Sequence, residues 1–187
     1  MVKSFEGLIK IEGFAQSLGG DEMFMSVNDF LNEWKQEAAV TQKVLNVLTD
    51  ESLNQEVSPG LYSVGSLAWH ITGSAYYFPV QVGIKFEVPD LQKETPKSAA
   101  EISETYKTVS QRFTQAFSEQ ITDETMNKMV NLFGGDMPLQ AVFRLLIQHQ
   151  AHHRGQLTVL MRQADLKVPG VYGPSKEEWE AMNAQKS

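Results

Sequence analysis

The chain has no cysteine, which excludes disulfides, thiolate metal sites and a cysteine nucleophile together. That absence suits a reducing compartment, and a cytoplasmic location is the expectation. Basic residues are few: 16 Lys and Arg stand against 23 Asp and Glu, giving a net charge of −7 and a pI of ≈ 5.1. They are scattered without a basic run, so no nucleic-acid partner is expected. No apolar run approaches the roughly 20 residues that span a bilayer, so no membrane partner is expected either. Near the start, Leu8-Ile9 is followed at once by Lys10 and Glu12, leaving no apolar segment for a signal peptide. Repeats and low-complexity tracts are missing as well.

What is present is enough apolar material for one good core: 187 residues, 42% of them hydrophobic. Phe5, Leu8, Ile11 and Phe14 recur every third residue and suggest a short amphipathic helix. A competing reading comes from Gly19-Gly20-Asp21-Glu22-Met23, which can be encoded as GGAGGTGATGAAATG, a ribosome-binding site ahead of a start codon. Residues 1–22 are therefore expected to be an upstream-translated extension, and 23–187 a single domain of four-helix-bundle type.

Four long helices can be read. The first covers 28–48, with Asn28 as N-cap and Phe30, Leu31, Trp34, Ala38, Thr41, Leu45 and Leu48 as its apolar stripe. The second covers 63–83; it is poor in polar residues, as a central helix should be, and Pro79 should kink or end it. A loop with two prolines follows over 84–97, long enough for a crossover. Ser98 and Glu101 form a capping box for the third helix, which buries Ile102, Tyr106, Val109, Phe113 and Phe117 and runs to 120. The stretch 121–137 reads as irregular. Pro138 then opens a fourth helix to 164, and Ser175 with Glu178 caps a short last one. These lengths make an all-α four-helix bundle the expected fold.

Three of the four histidines fall in one run, Gln148-His149-Gln150-Ala151-His152-His153-Arg154-Gly155-Gln156. On a helix His149 and His153 lie one turn apart on one face, the spacing of the zinc-binding H-E-x-x-H helix. Gln150 occupies the position of that motif's catalytic Glu, so a protease of that class is excluded. Two ligands fall short of the three that a catalytic ion usually takes, and His70, on the second helix, is the candidate third. His152 points 100° away from His153 and is expected on the surface or behind the ligands. Gln156, at i+3 from His153, could orient a ligand. Arg154 could pair with a surface carboxylate, and Gly155 could mark close helix packing. Spacing alone leaves a metal site and satisfied core histidines both open.

The pairing of Leu67-Ala68-Trp69-His70-Ile71 with His149-x-x-x-His153-Arg154-Gly155-Gln156 resembles the DinB family, whose fold is shared by YfiT-like thiol transferases. The likeness runs from about residue 25 to the tail. It implies an up-up-down-down bundle, a homodimer, and a divalent metal on His70, His149 and His153. Zinc is the first expectation for the ion, with nickel, iron or manganese able to use the same imidazoles.

The expected function is transfer of a small thiol, of the bacillithiol or mycothiol type, to a small-molecule electrophile, in stress defence. The alternatives are a metal-dependent hydrolase and a non-catalytic metal-binding or sensing bundle. No residue is identified as a general base, so a metal-activated thiol or water is left as the reactive group. Tyr76, Tyr77 and Gln148 are possible lining groups, but each is better read as core or surface packing.

Overall fold

The protein is described here by a computed structural model covering residues 24–184; the amphipathic pattern and the translation-start motif before residue 23 lie outside the described residues. Ser26 opens the first helix, α1 (Val27–Leu45), its hydroxyl accepting from Asp29 N. The start is thus two residues earlier than Asn28 predicts. Asp123 fixes it from outside, its carboxylate accepting from Val27 N at 2.7 Å. Ser63 caps α2 (Val64–Gln81) through a reciprocal bond with Ser66. This helix continues two residues past Pro79 before ending. Its buried residues point to several sides, as a helix packed against two others requires.

Ser98 caps α3 (Ala99–Gln120), but only half of the expected capping box forms: the Glu101 carboxylate turns away to pair with Lys93. The stretch read as irregular has structure of its own. It holds a single helical turn, α4 (Asp123–Met126), and a hairpin of β1 (Met129–Leu132) and β2 (Gly135–Pro138) in antiparallel register Leu132↔Gly135. The two-residue turn needs positive φ at both central positions, and Phe133 and Gly134 supply φ of 52° and 89°. Pro138 precedes the long α5 (Leu139–Gln163). Last comes α6 (Lys176–Ala184), where Ser175 and Glu178 bond reciprocally, Ser175 N to Oε2 at 3.1 Å and Glu178 N to Oγ at 3.2 Å.

In the bundle α2 packs on α3 and α5, and α1 packs on the same two, so α1 and α2 lie diagonally opposite. The all-α fold stands, but the direction of the helices differs from the expected up-up-down-down order. Glu33 pairs with Arg144 and Glu37 with Arg154, so α1 and α5 run parallel. Gln42 meets Ser103 while Phe30 meets Phe117, so α3 runs against α1. His70 meets His153 while Phe78 meets His149, so α2 runs against α5. The order is up-down-down-up. Parallel neighbours α2 and α3 then need a connection along the whole bundle, which is the work of the predicted crossover after Gln81.

The core has two parts. Near the starts of α1 and α5, Phe30, Trp34, Phe113, Phe117 and Phe143 are fully buried, with ring centroids such as Phe30–Phe117 at 4.4 Å and Trp34–Phe113 at 5.1 Å. Edge and tilted contacts of this kind add about 0.5–1.5 kcal/mol each beyond burial. Further along the bundle the filling becomes polar, and there the histidines gather.

Candidate metal centre

Antiparallel α2 and α5 bring His70 against His149 and His153. The Nε2 atom of His70 lies 2.9 Å from that of His149 and 3.2 Å from that of His153. One ring nitrogen from each histidine falls within 4.8 Å of the others, a group that can hold a metal ion. Two nitrogens bound to one zinc at about 2.1 Å stand roughly 3.0–3.4 Å apart, depending on the bond angle. The separations match that span closely.

The chemistry of the donors fits as well. Gln156 Oε1 accepts from His153 Nδ1 at 2.8 Å. That bond places the ring proton on Nδ1 and turns the Nε2 lone pair inward, the arrangement that a ligand needs. Burial lowers the pKa of His70 to about 4, helped by His153. Burial, then His153, His70 and His152, lowers that of His149 to about 3. For His153 burial also lowers the pKa, opposed by the Gln156 bond and reinforced by His152. All three imidazoles are therefore neutral near pH 7, as cation binding demands.

His152 is exposed, its ring stacked edgewise on His153 at 4.8 Å, and it stays outside the cluster as its helical angle predicts. Phe78 backs the site, 5.2 Å from His149, and Phe133 of the hairpin covers Phe78 at 5.9 Å. The positive φ of Phe133 thus sits where its ring seals the flank of the site. Tyr76 and Tyr77 pack on each other and Tyr76 on Phe86, and Gln148 is exposed; their packing reading holds.

Two residues of the histidine run do more than their types suggest. Gln150 is fully buried. Its Nε2 donates to Ile71 O and Ser74 Oγ, both at 2.8 Å, and its Oε1 accepts from Tyr106 OH at 3.2 Å. This one carboxamide ties α5 to α2 and α3. Burial pushes the Tyr106 pKa well up, so its hydroxyl stays a neutral donor.

Arg154 is 1% exposed, which corrects the expectation of a surface pairing. It donates to Glu37 Oε2 at 2.6 Å and Thr41 Oγ1 at 2.9 Å on α1, and to the hydroxyl of Tyr172 in the C-terminal segment. Tyr172 in turn donates to the same Glu37 oxygen at 2.9 Å. The candidate ligands His149 and His153 each have one of these anchors as the next residue, so the rotation of α5 is pinned beside the site. The signal was present: Gln150 and Arg154 continue the spacing of buried Phe143, Leu146, Leu157 and Met161. Gly155 is the opposite case. A Cβ there would meet nothing within 4 Å, so the expected close packing is absent and nothing around it requires glycine.

No helix among the described residues is long and apolar enough to cross a membrane. The sequence matches the DinB family over residues 23–186. It is 45% identical over 157 residues to the Bacillus subtilis (strain 168) protein YrdA, covering 84% of this chain and 94% of that one. The crystal structure of a DinB-like protein from Bacillus cereus ATCC 10987 superposes with a TM-score of 0.77 at 43% identity, covering 80% of this chain and all (100%) of that one. The Bacillus subtilis DinB-like protein YjoA shares the fold, with a TM-score of 0.60 at 19% identity over 76% of this chain and 96% of that one. Histidines brought together from α2 and α5, a matched bundle and a matched sequence agree: the chain belongs to the DinB family.

Proposed function

We propose that His70, His149 and His153 hold a divalent ion, zinc first, and that the protein transfers a small thiol to an electrophile. The observation that carries this reading is the composition of the cluster: three neutral imidazoles converge and, among the described residues, no carboxylate joins them. Three neutral ligands leave a bound ion its full charge, which supplies Lewis acidity to an incoming sulfur or oxygen. A hydrolase of the H-E-x-x-H kind also needs a carboxylate base one residue after the first helix ligand. Here that position is Gln150, and its side chain is turned into the core. A thiol needs no such base, because it ionises far more readily than water.

The residues of the chain have distinct parts in this reading. Gln156 holds His153 in one tautomer, Phe78 and Phe133 shield one flank from water, and Gln150 and Arg154 fix the helix that bears two ligands. The overall reaction joins R–SH to R′–X and yields R–S–R′ with HX; the carbon–sulfur bond forms as the bond to X breaks, and X leaves with the electron pair. We further propose a homodimer and a role in stress defence, as the family resemblance implies.

The test is to incubate metal-loaded protein with bacillithiol, or glutathione for comparison, and a chlorinated electrophile, and to detect the thioether by mass spectrometry. Thioether formation that stops on chelation supports the proposal. Ester or amide cleavage without thioether would replace it with the hydrolase; neither reaction would leave a non-catalytic metal-binding bundle.

A further inference from the structure

The histidine cluster lies beside a groove. Its volume is about 400 Å³, within the usual range for small-molecule sites. Leu67 and Leu160, both buried, form the floor, and Val57, Leu61, Tyr62 and Val159 the walls. The groove meets the candidate metal centre at two points. Gln156 lines it while holding His153, and the Tyr62 ring lies 6.1 Å from that of His70.

The apolar wall is built, not left over. Glu56 bridges to Ser63, and Ser58 O accepts from Leu61 N at 3.0 Å. With Pro59 and Gly60 at the turn centre and a Gly60 φ of 81°, this is a type II turn, which calls for glycine at the second central position and favours proline at the first. The turn holds Val57, Leu61 and Tyr62 at 58%, 62% and 46% exposure, opposite Val159 at 59%. Four large apolar side chains kept in water around one concavity indicate a binding surface.

Charge selects the occupant. Among the described residues, none that lines the groove is charged. The neighbouring Glu56 carboxylate folds back to accept from Gly60 N at 3.1 Å, and Arg162, next to Gln163 in the chain, is paired with Glu177 at 2.6 Å. An anion would lose its hydration there and meet only neutral polar groups, on Tyr62, Gln156 and Gln163, with no cationic side chain among them to offset the loss. We infer that this groove binds the uncharged aryl or alkyl body of the electrophile and not the carboxylate-bearing body of a low-molecular-weight thiol. The inference rests on the transferase reading for the word electrophile alone; the groove's preference for an uncharged apolar molecule stands on the lining.

The probe pair is N-phenylnaphthylamine, which is uncharged, and its sulfonated analogue anilinonaphthalene sulfonate. Both are titrated by fluorescence into metal-free and metal-loaded protein. The expected result is saturable binding of the uncharged probe at one site per chain in both forms, with the sulfonate bound at least about tenfold more weakly. Val159→Glu and Leu61→Glu, at exposed positions that the fold does not need, should each weaken the uncharged probe by about tenfold or more. Equal binding of the two probes, or binding indifferent to both substitutions, would overturn the inference. So would a wild-type dimer that Val159→Glu converts to monomer, because the groove would then be an interface between two copies. Since the metal-free protein is titrated too, a failure here is separate from a failure of the metal reading, which metal analysis decides.

Discussion

The aromatic end of the bundle and its polar layer are built from the same helices to opposite rules. Around Phe30, packing alone decides: the Trp34 indole N–H is buried without a hydrogen-bond partner, and the cluster tolerates it. One or two turns along, nearly every contact is specific, from the Gln150 carboxamide to the Arg154–Glu37–Tyr172 linkage and the converging imidazoles. Taking polar and charged groups out of water costs free energy that their new partners only partly return, and the buried Arg154 Nε has no partner, so the second region gains less stability from its volume than the first. The division suggests that one end holds the fold while the other spends stability on placing three nitrogens.

The sharpest way to break this division is at the aromatic end. Phe30→Ala should destabilise by about 3–5 kcal/mol, through lost transfer energy and a cavity, while the folded fraction keeps its metal content. Chemical denaturation and metal analysis on the same sample measure both. Next comes the linkage. Arg154→Met leaves Glu37, whose side chain is 12% exposed, without its cation and should cost about 3 kcal/mol. Unlike Phe30→Ala, it should also weaken metal binding, since it frees the helix next to His153.

Gln156→Ala should do the reverse of Phe30→Ala. Metal affinity should fall about 10–100-fold through the unfixed His153 ring, with the melting temperature of the metal-free protein unchanged, because Gln156 is exposed. A further effect is expected on the pH dependence of the metal-free protein. His70 and His149 titrate near 4 and 3 in the folded metal-free protein against an ordinary 6.5. Between these values the unfolded chain binds protons that the folded one refuses, so acid favours unfolding. Stability should be full above pH 6.5, fall as pH drops towards 4, and lose this contribution's slope below 3. His149→Leu should flatten the same window in a denaturation series across pH; an unchanged slope would count against buried, neutral histidines.

How far these regions were legible in the sequence follows the same division. Apolar periodicity on α1 and α3 gave Phe30, Trp34, Phe113 and Phe117 of the aromatic end, though not Phe143 of α5, because burial of large side chains follows helical spacing directly. His149 and His153 could be read from their own spacing, but His70 needed a resemblance, since 79 residues separate it from His149 and only the bundle brings them together. Arg154 was misjudged because a charged type suggests solvent unless its place in the buried stripe is weighed, and Gln150 was read only for its position in the zinc-binding motif. The helix order was missed because it depends on non-local pairings such as Glu33–Arg144, which no local pattern reveals. The hairpin at 129–138 escaped notice because its turn uses Phe133 at positive φ, which the residue type alone disfavours.

The central claim is that three histidines from two antiparallel helices form one metal centre. Its most direct test is metal content per chain, by inductively coupled plasma mass spectrometry, for wild type and His149→Ala with helicity checked by circular dichroism. The account predicts about one divalent ion per wild-type chain and almost none in the variant, with helicity unchanged. Equal stoichiometric metal in both proteins would contradict it.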